Sequence, residues 1–134
     1  MPAVWRELIP LLSAGDYLAA TKRATELVKE DPLSIEAARC LALAQSAGAP
    51  TAAMETWRRV LYLSPADPGA HFALGIILLN TGKRSEARAH FRSVVKLLKE
   101  KADTDRMPGP DTLPVGWVRS ACRSLAGESE GSFR

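Results

Sequence analysis

With 134 residues, 18 Lys and Arg against 15 Asp and Glu, and a net charge of +3, the chain lacks the dense basic surplus that nucleic-acid binding requires. Its apolar content is broken up: the uncharged run Cys40 to Met54 is alanine-rich, interrupted by Gly48 and Pro50, and too short to span a bilayer. Cys40 and Cys122, far apart and with no metal-type ligand spaced near them, suit a reducing compartment, and the opening MPAVWRELIP, with Glu7 and Pro10, has no secretory core, so a cytoplasmic location is expected.

The first predicted helix runs through Val4, Trp5, Leu8, Ile9, Leu11 and Leu12, and Pro10 lies inside it. The proline ring would meet the carbonyl of Arg6, so a kinked or short helix is predicted, with Trp5 or Ile9 more exposed than usual at this end of the chain. Asp16 is placed to cap a second helix, Tyr17 to Lys29, which Asp31-Pro32 closes. Ser34 can cap the third, Ile35 to Ser46, in which Ala37, Ala38, Ala42 and Ala44 leave a smooth, closely approachable surface and Cys40 takes an inward position. After the turn Gly48-Ala49-Pro50-Thr51, a fourth helix carries Met54, Trp57, Val60 and Leu61 and leads into Ser64-Pro65.

The stretch from Pro68 to Lys99 has the clearest pattern. Phe72, Leu74, Ile76, Ile77, Leu78 and Leu79 recur at helical spacing, Asn80-Thr81-Gly82 interrupts them, and Ala87, Phe91, Val94, Val95 and Leu98 resume. Asp67 can accept the free amide hydrogens that open the first of these helices, Pro68 sits where its missing N–H costs nothing, and Gly82 suits a left-handed end. Arg84, Arg88, Arg92 and Lys96 recur every four residues, which places four positive charges on one face of the second helix.

Such a hairpin has apolar surface on more than one side and needs neighbours, and the chain supplies copies. Gly82, Ala87, Phe91 and Val94 correspond to Gly48, Ala53, Trp57 and Val60, and again to Gly15, Ala20, Ala24 and Leu27, so the turn glycines lie 33 residues (48 − 15) and 34 residues (82 − 48) apart. Pro32 and Pro65 each follow a turn glycine by seventeen. This cadence resembles the tetratricopeptide repeat, two antiparallel helices with a small residue early in the second, a large one four further on, and a closing proline.

The resemblance implies an all-α, right-handed superhelical stack of three hairpins, residues 1–33, 34–67 and 68–100, plus a C-terminal helix. Gly75 is the small residue the family prefers in its first helix, whereas Leu8 and Leu41 stand at the equivalent positions, so looser packing is expected there. Lys99 replaces the third closing proline, so the last repeat helix is expected to run on.

Residues 101–116, KADTDRMPGPDTLPVG, read as a linker, residues 117–126 as a short helix carrying Trp117, Val118, Ala121, Cys122 and Leu125, and residues 127–134 as a flexible tail. The short helix caps the stack, on Phe91, Val95 and Leu98, folds back into the concave groove, or is disordered.

No catalytic constellation is legible. His71 and His90 are nineteen residues apart on different helices, and neither stands at i, i+4 from another histidine or a cysteine, so no metal site and no cofactor are expected. In tetratricopeptide proteins the first helix of each repeat lines a groove that receives a peptide or a helix. That resemblance carries the groove positions onto Trp5, Ile9 and Leu12, then Ala38, Ala42 and Gln45, then Phe72, Ile76, Leu79 and Asn80. The set is mostly apolar and lacks a Lys/Arg clamp for a terminal carboxylate, so an apolar helix or peptide is the partner it implies. The basic face Arg84, Arg88, Arg92 and Lys96 is either plain solvated surface or a dock for an acidic partner.

A narrower resemblance covers residues 55–126: WRRVLYLSPADPGAHFALGIILLNTGKRSEARAHFRSVVKLLKE, a proline-containing spacer, then DTLPVGWVRSACRSL. This order is similar to the repeat region behind the catalytic domain of CheR-like chemotaxis receptor methyltransferases of the Frz type. It implies a regulatory module that binds a methyltransferase domain or a chemoreceptor in bacterial signal transduction, with no part of the methyltransferase itself present. The competing expectation is a structural, self-associating scaffold with no link to methylation.

Overall fold

Three short polar side chains start three helices. Asp16 Oδ1 accepts from Ala19 N–H at 3.2 Å, Ser34 Oγ from Ala37 N–H at 3.1 Å, and Asp67 Oδ1 from Ala70 N–H at 3.1 Å, each satisfying a donor that the helix leaves free. The computed structural model describes residues 3–107 and 113–127. Among them are seven helices: α1 (Ala3–Ser13), α2 (Tyr17–Glu30), α3 (Ile35–Ser46), α4 (Pro50–Leu63), α5 (Pro68–Asn80), α6 (Arg84–Leu97) and α7 (Val115–Leu125). The fold class is all-α, three helical hairpins followed by a terminal helix. Among the described residues no helix is long and apolar enough to cross a membrane.

The chain divides into two compact units, Met1–Pro65 with α1 to α4 and Ala66–Arg134 with α5 to α7. In the first, Trp5, Leu8, Ala20, Ala24, Cys40 and Ala44 form a core of large residues from α1 set against alanines from α2 and α3. In the second, Ala70, Leu74, Gly75 and Leu78 of α5 are buried, as are Ala87, Phe91 and Val94 of α6. The small residues early in the second helices, Ala20, Ala53 and Ala87, are all 0% exposed, as close helix approach demands.

Two of the three hairpin turns share one device. Gly15 (φ 75°) and Gly82 (φ 84°) adopt the left-handed conformation that residues with a Cβ avoid. Behind them Asp16 N–H reaches Leu11 O at 2.9 Å and Lys83 N–H reaches Leu78 O at 2.9 Å, the same six-residue closure at the same place in the repeat. Gly48, read as the third copy, departs from this: it is not left-handed, and Ala49 N–H bonds Gln45 O at 2.7 Å instead. Pro50 then starts α4 two residues on.

α1 continues through Pro10 to Ser13 and, at 11 residues, is the shortest of the six hairpin helices; of the two residues expected to be more exposed at this end, Trp5 is 1% exposed and Ile9 is half-buried. One other expectation is corrected. α6 does not run on past Lys99 but stops at Leu97, with Leu98 as its cap, and Arg119 bonds the Leu98 carbonyl that this end leaves free.

The segment read as a linker is pinned in its described parts. Met107 N–H bonds Leu113 O at 3.0 Å, Val115 N–H bonds Asp105 O at 2.7 Å, and Gly116 N–H bonds Asp103 O at 3.0 Å, while Met107 is buried. A Cβ on Gly116 would lie 2.8 Å from Asp103 Cβ, so only glycine allows this approach. Residues 108–112 and 128–134, most of the expected tail among them, lie outside the described residues. α7 begins at Val115, two residues before the predicted start, and packs on α6 with Val115, Val118 and Cys122 buried and Trp117 57% exposed.

Candidate functional site

In the first unit the sequence proposes Trp5, Ile9 and Leu12 on α1 and Ala38, Ala42 and Gln45 on α3. Trp5 is not a free contact. Its indole Nε1 donates to Glu36 Oε2, and the same carboxylate receives the guanidinium of Arg39, so α1 is tied to the start of α3 through one acidic side chain. A fully buried indole whose N–H is satisfied is a structural residue. Ala38 and Ala42 are likewise covered, at 2% and 0% exposed, because methyl side chains let neighbouring atoms close over them.

Gln45 is engaged as well. Its Oε1 accepts from Thr56 Oγ1 at 2.6 Å, and the adjacent Ser46 Oγ accepts from Trp57 Nε1 at 3.2 Å, so the end of α3 is bonded to α4. Of the six positions in this unit, Ile9 and Leu12 keep accessible apolar surface, half-buried against the core.

The second unit brings its four candidates together on one helix. Phe72, Ile76 and Leu79 stand at i, i+4 and i+7 of α5, all half-buried, and Asn80 is exposed at the end of the row. The helix carries no Asp, Glu, Lys or Arg, and its opposite side, Leu74, Gly75 and Leu78, is buried.

Two contacts fix this strip on α6. The Phe91 ring lies over the bare backbone of Gly75, where an added Cβ would be 2.6 Å from Phe91 Cε1. Phe72 meets the same ring with centroids 6.5 Å apart and planes inclined at 59°, a tilted aromatic pair that holds Phe72 in place while leaving part of it accessible. One residue before, His71 Nδ1 and His90 Nδ1 face each other at 2.9 Å, so one ring donates the hydrogen and the other accepts it. Sequence spacing gave no sign of this histidine bond, since the two residues meet only through the hairpin.

Arg84, Arg88, Arg92 and Lys96 are all exposed on α6. None of the four forms an ion pair or a side-chain hydrogen bond among the described residues.

A further residue that the sequence did not single out is Arg119 on α7. Its guanidinium donates to Leu98 O at 2.7 Å through Nη2 and at 3.3 Å through Nε, and also reaches Lys101 O and the carboxylate of Asp103. One planar fork thus satisfies carbonyls left free at the end of α6 and joins α6, the following turn and α7. Between these elements Pro68, Leu97, Leu98, Lys101, Arg106 and Val115 help to line a hollow of about 500 Å³.

The chemistry available is that of a surface. Both cysteines are buried, and burial pushes each thiol up to about 12, so neither is a nucleophile near neutral pH. No group of three or more His, Cys, Asp and Glu is gathered to hold a metal among the described residues.

No protein-family profile matches the chain, and no curated protein matches it. Solved structures do match in fold. The type III secretion translocator chaperone SycD of Yersinia enterocolitica superposes with a TM-score of 0.79 at 15% identity, covering 96% of this chain and 82% of that one. SycD in complex with a peptide of the translocator YopD gives 0.79 at 15% identity, over 98% and 92% of the two chains. PcrH in complex with the chaperone binding region of PopD gives 0.76 at 14% identity, over 98% and 91%. At such identities the likeness establishes the helical-repeat fold.

Proposed function

We propose that this chain is a noncatalytic peptide-binding module that shields an apolar segment of a partner protein. The observation that carries the reading is the strip Phe72, Ile76 and Leu79: apolar side chains in register on one uncharged helix, held by packing on α6 and left half-accessible. Such anchors are the elements by which helical surfaces take up an apolar helix or an extended segment. Two proteins of the same fold are seen with a bound segment, SycD with a peptide of the translocator YopD and PcrH with the chaperone binding region of PopD, which supports a peptide as the partner class here.

Calorimetric titration tests the reading, with peptides from the YopD and PopD segments and a scrambled control as probes. Binding of either translocator peptide that weakens about tenfold or more in Phe72→Ala or Ile76→Ala supports it. Absence of binding, or affinity indifferent to both substitutions, overturns it.

This reading replaces the role in receptor methylation. That role rests on the resemblance over residues 55–126 alone, whereas SycD, a solved structure of the same fold, is a type III secretion translocator chaperone. Adding the chain to a CheR-like methyltransferase should leave the receptor methylation pattern unchanged. Self-association is the second reading, favoured by Leu18 (86% exposed) and Leu33 (75% exposed) in the first unit and by a SycD structure described as an alternative dimer. Sedimentation over a concentration series separates the two, since a monomer that binds peptide removes the scaffold reading.

A further inference from the structure

α6 buries one face and carries a row of four cations along its exposed side, which also holds Ser85, Glu86 and Ala89. Ala87, Phe91 and Val94 are 0% exposed, while Arg84, Arg88, Arg92 and Lys96 are exposed and unpaired among the described residues. Like charges one turn apart weaken a helix by about 0.2–0.5 kcal/mol per pair, and three such neighbouring pairs stand here in succession. Packing of the opposite face holds the helix in spite of them. Carboxylates brought alongside would turn each repulsion into attraction.

Beside the stripe, Ala89, Arg92, Ser93, Val95 and Lys96 line a shallow hollow of about 430 Å³, so apolar Ala89 and Val95 share it with two cations. We infer that this face of α6 docks an acidic helical segment of a partner protein, its carboxylates against the row from Arg84 to Lys96 and one apolar side chain seated in the hollow. The site lies on a different helix from the Phe72 strip and does not rest on the peptide-shielding reading.

The spacing selects a helix as the occupant. Residues four apart on α6 rise by about 6 Å, and so do Glu residues four apart on a partner helix. Same-face carboxylates of an extended strand recur about every 6.7 Å and fall out of step by about 2 Å over three intervals. An anionic membrane would draw in an apolar helix face, and that of α6 is already buried. Single-stranded nucleic acid needs exposed rings between the cations, and Phe91 of α6 is 0% exposed.

The test is an NMR titration of the isotope-labelled full chain. The probe is a helical peptide of about 20 residues with Glu at every fourth position and one Leu beside that row, added at about 50 mM and about 300 mM salt. The result expected is a set of shifts confined to residues 84–96, with affinity falling about tenfold at the higher salt and again in Arg88→Glu/Arg92→Glu, and a weaker site when the peptide Leu is Ala. Arg88→Gln/Arg92→Gln gives the same direction of change should the charge reversal disturb folding. No shifts at millimolar peptide, shifts elsewhere, or affinity unaltered by either double variant overturns the inference. So does equal or tighter engagement of the same residues by phosphatidylserine vesicles or by oligouridine.

Discussion

Gly75→Ala puts a single methyl group between α5 and the Phe91 ring of α6. The new Cβ would lie 2.6 Å from Phe91 Cε1 and 3.0 Å from its Cδ1 and Cζ, against the roughly 3.5–4.0 Å that carbon atoms prefer. Phe91 is 0% exposed, so its ring has no open space to enter, and α5 and α6 must separate or the ring must leave its rotamer. Overpacking of this kind costs about 1–3 kcal/mol, while exchanging a mid-helix glycine for alanine returns about 1 kcal/mol. The net effect expected is a destabilisation of up to about 2 kcal/mol, read from urea denaturation followed by circular dichroism. Phe91→Leu removes the ring that the methyl would strike. In that background Gly75→Ala should be neutral or stabilising, a coupling of about 1–3 kcal/mol between the two sites. A Gly75→Ala variant more stable than the parent, or one with the same effect in both backgrounds, would refute the packing argument.

The turns give a matched pair of outcomes. Gly82→Ala, at φ 84°, should cost about 1–2 kcal/mol, whereas Gly48→Ala, with no atom within 4 Å of its new Cβ and no left-handed backbone, should be neutral or stabilising by up to about 1 kcal/mol in the same denaturation assay. Arg119→Ala should free α7, raising amide exchange across Val115–Leu125 and costing about 1.5–3 kcal/mol, and Arg119→Lys should restore little because an ammonium cannot serve several carbonyls as a planar fork does. Native Cys40 and Cys122 should resist iodoacetamide at pH 8 and react once urea exposes them. Burial raises both thiols, so the stability their neutral forms contribute is complete below the ordinary value of 9.0 and declines as pH rises from there toward about 12, which an alkaline series of melting temperatures will show.

The parts of this fold that were legible in the sequence are those governed by neighbours along the chain. Asp16, Ser34 and Asp67 act on amides three residues away, and Gly15 and Gly82 impose a local backbone conformation, so residue type and position sufficed. Gly48 misled because the spacing of a turn glycine does not show whether its backbone is left-handed. Trp5 misled for another reason: an aromatic near a chain end looks available until Glu36, 31 residues on, is seen to receive its N–H. Arg119 was invisible for the same cause, since its partners are main-chain carbonyls that carry no side-chain signature.

The candidate surface divides along the same line. Phe72, Ile76 and Leu79 were readable as one face of one helix, whereas the alanines at 38 and 42 looked open because periodicity says nothing about what lies above a methyl group. The His71–His90 bond and the Phe72–Phe91 pair, which hold the α5 strip against α6, exist only once the hairpin has closed.

Ile76→Glu probes the account at its centre, because it sets a charge in the middle of the α5 strip on a half-exposed position that the fold does not need to bury completely. With circular dichroism confirming an unchanged helix content, affinity for an apolar peptide that the parent binds should fall about a hundredfold or more, a loss of about 2.7 kcal/mol. Retention of the parent affinity by a folded Ile76→Glu variant would contradict recognition through this face of α5.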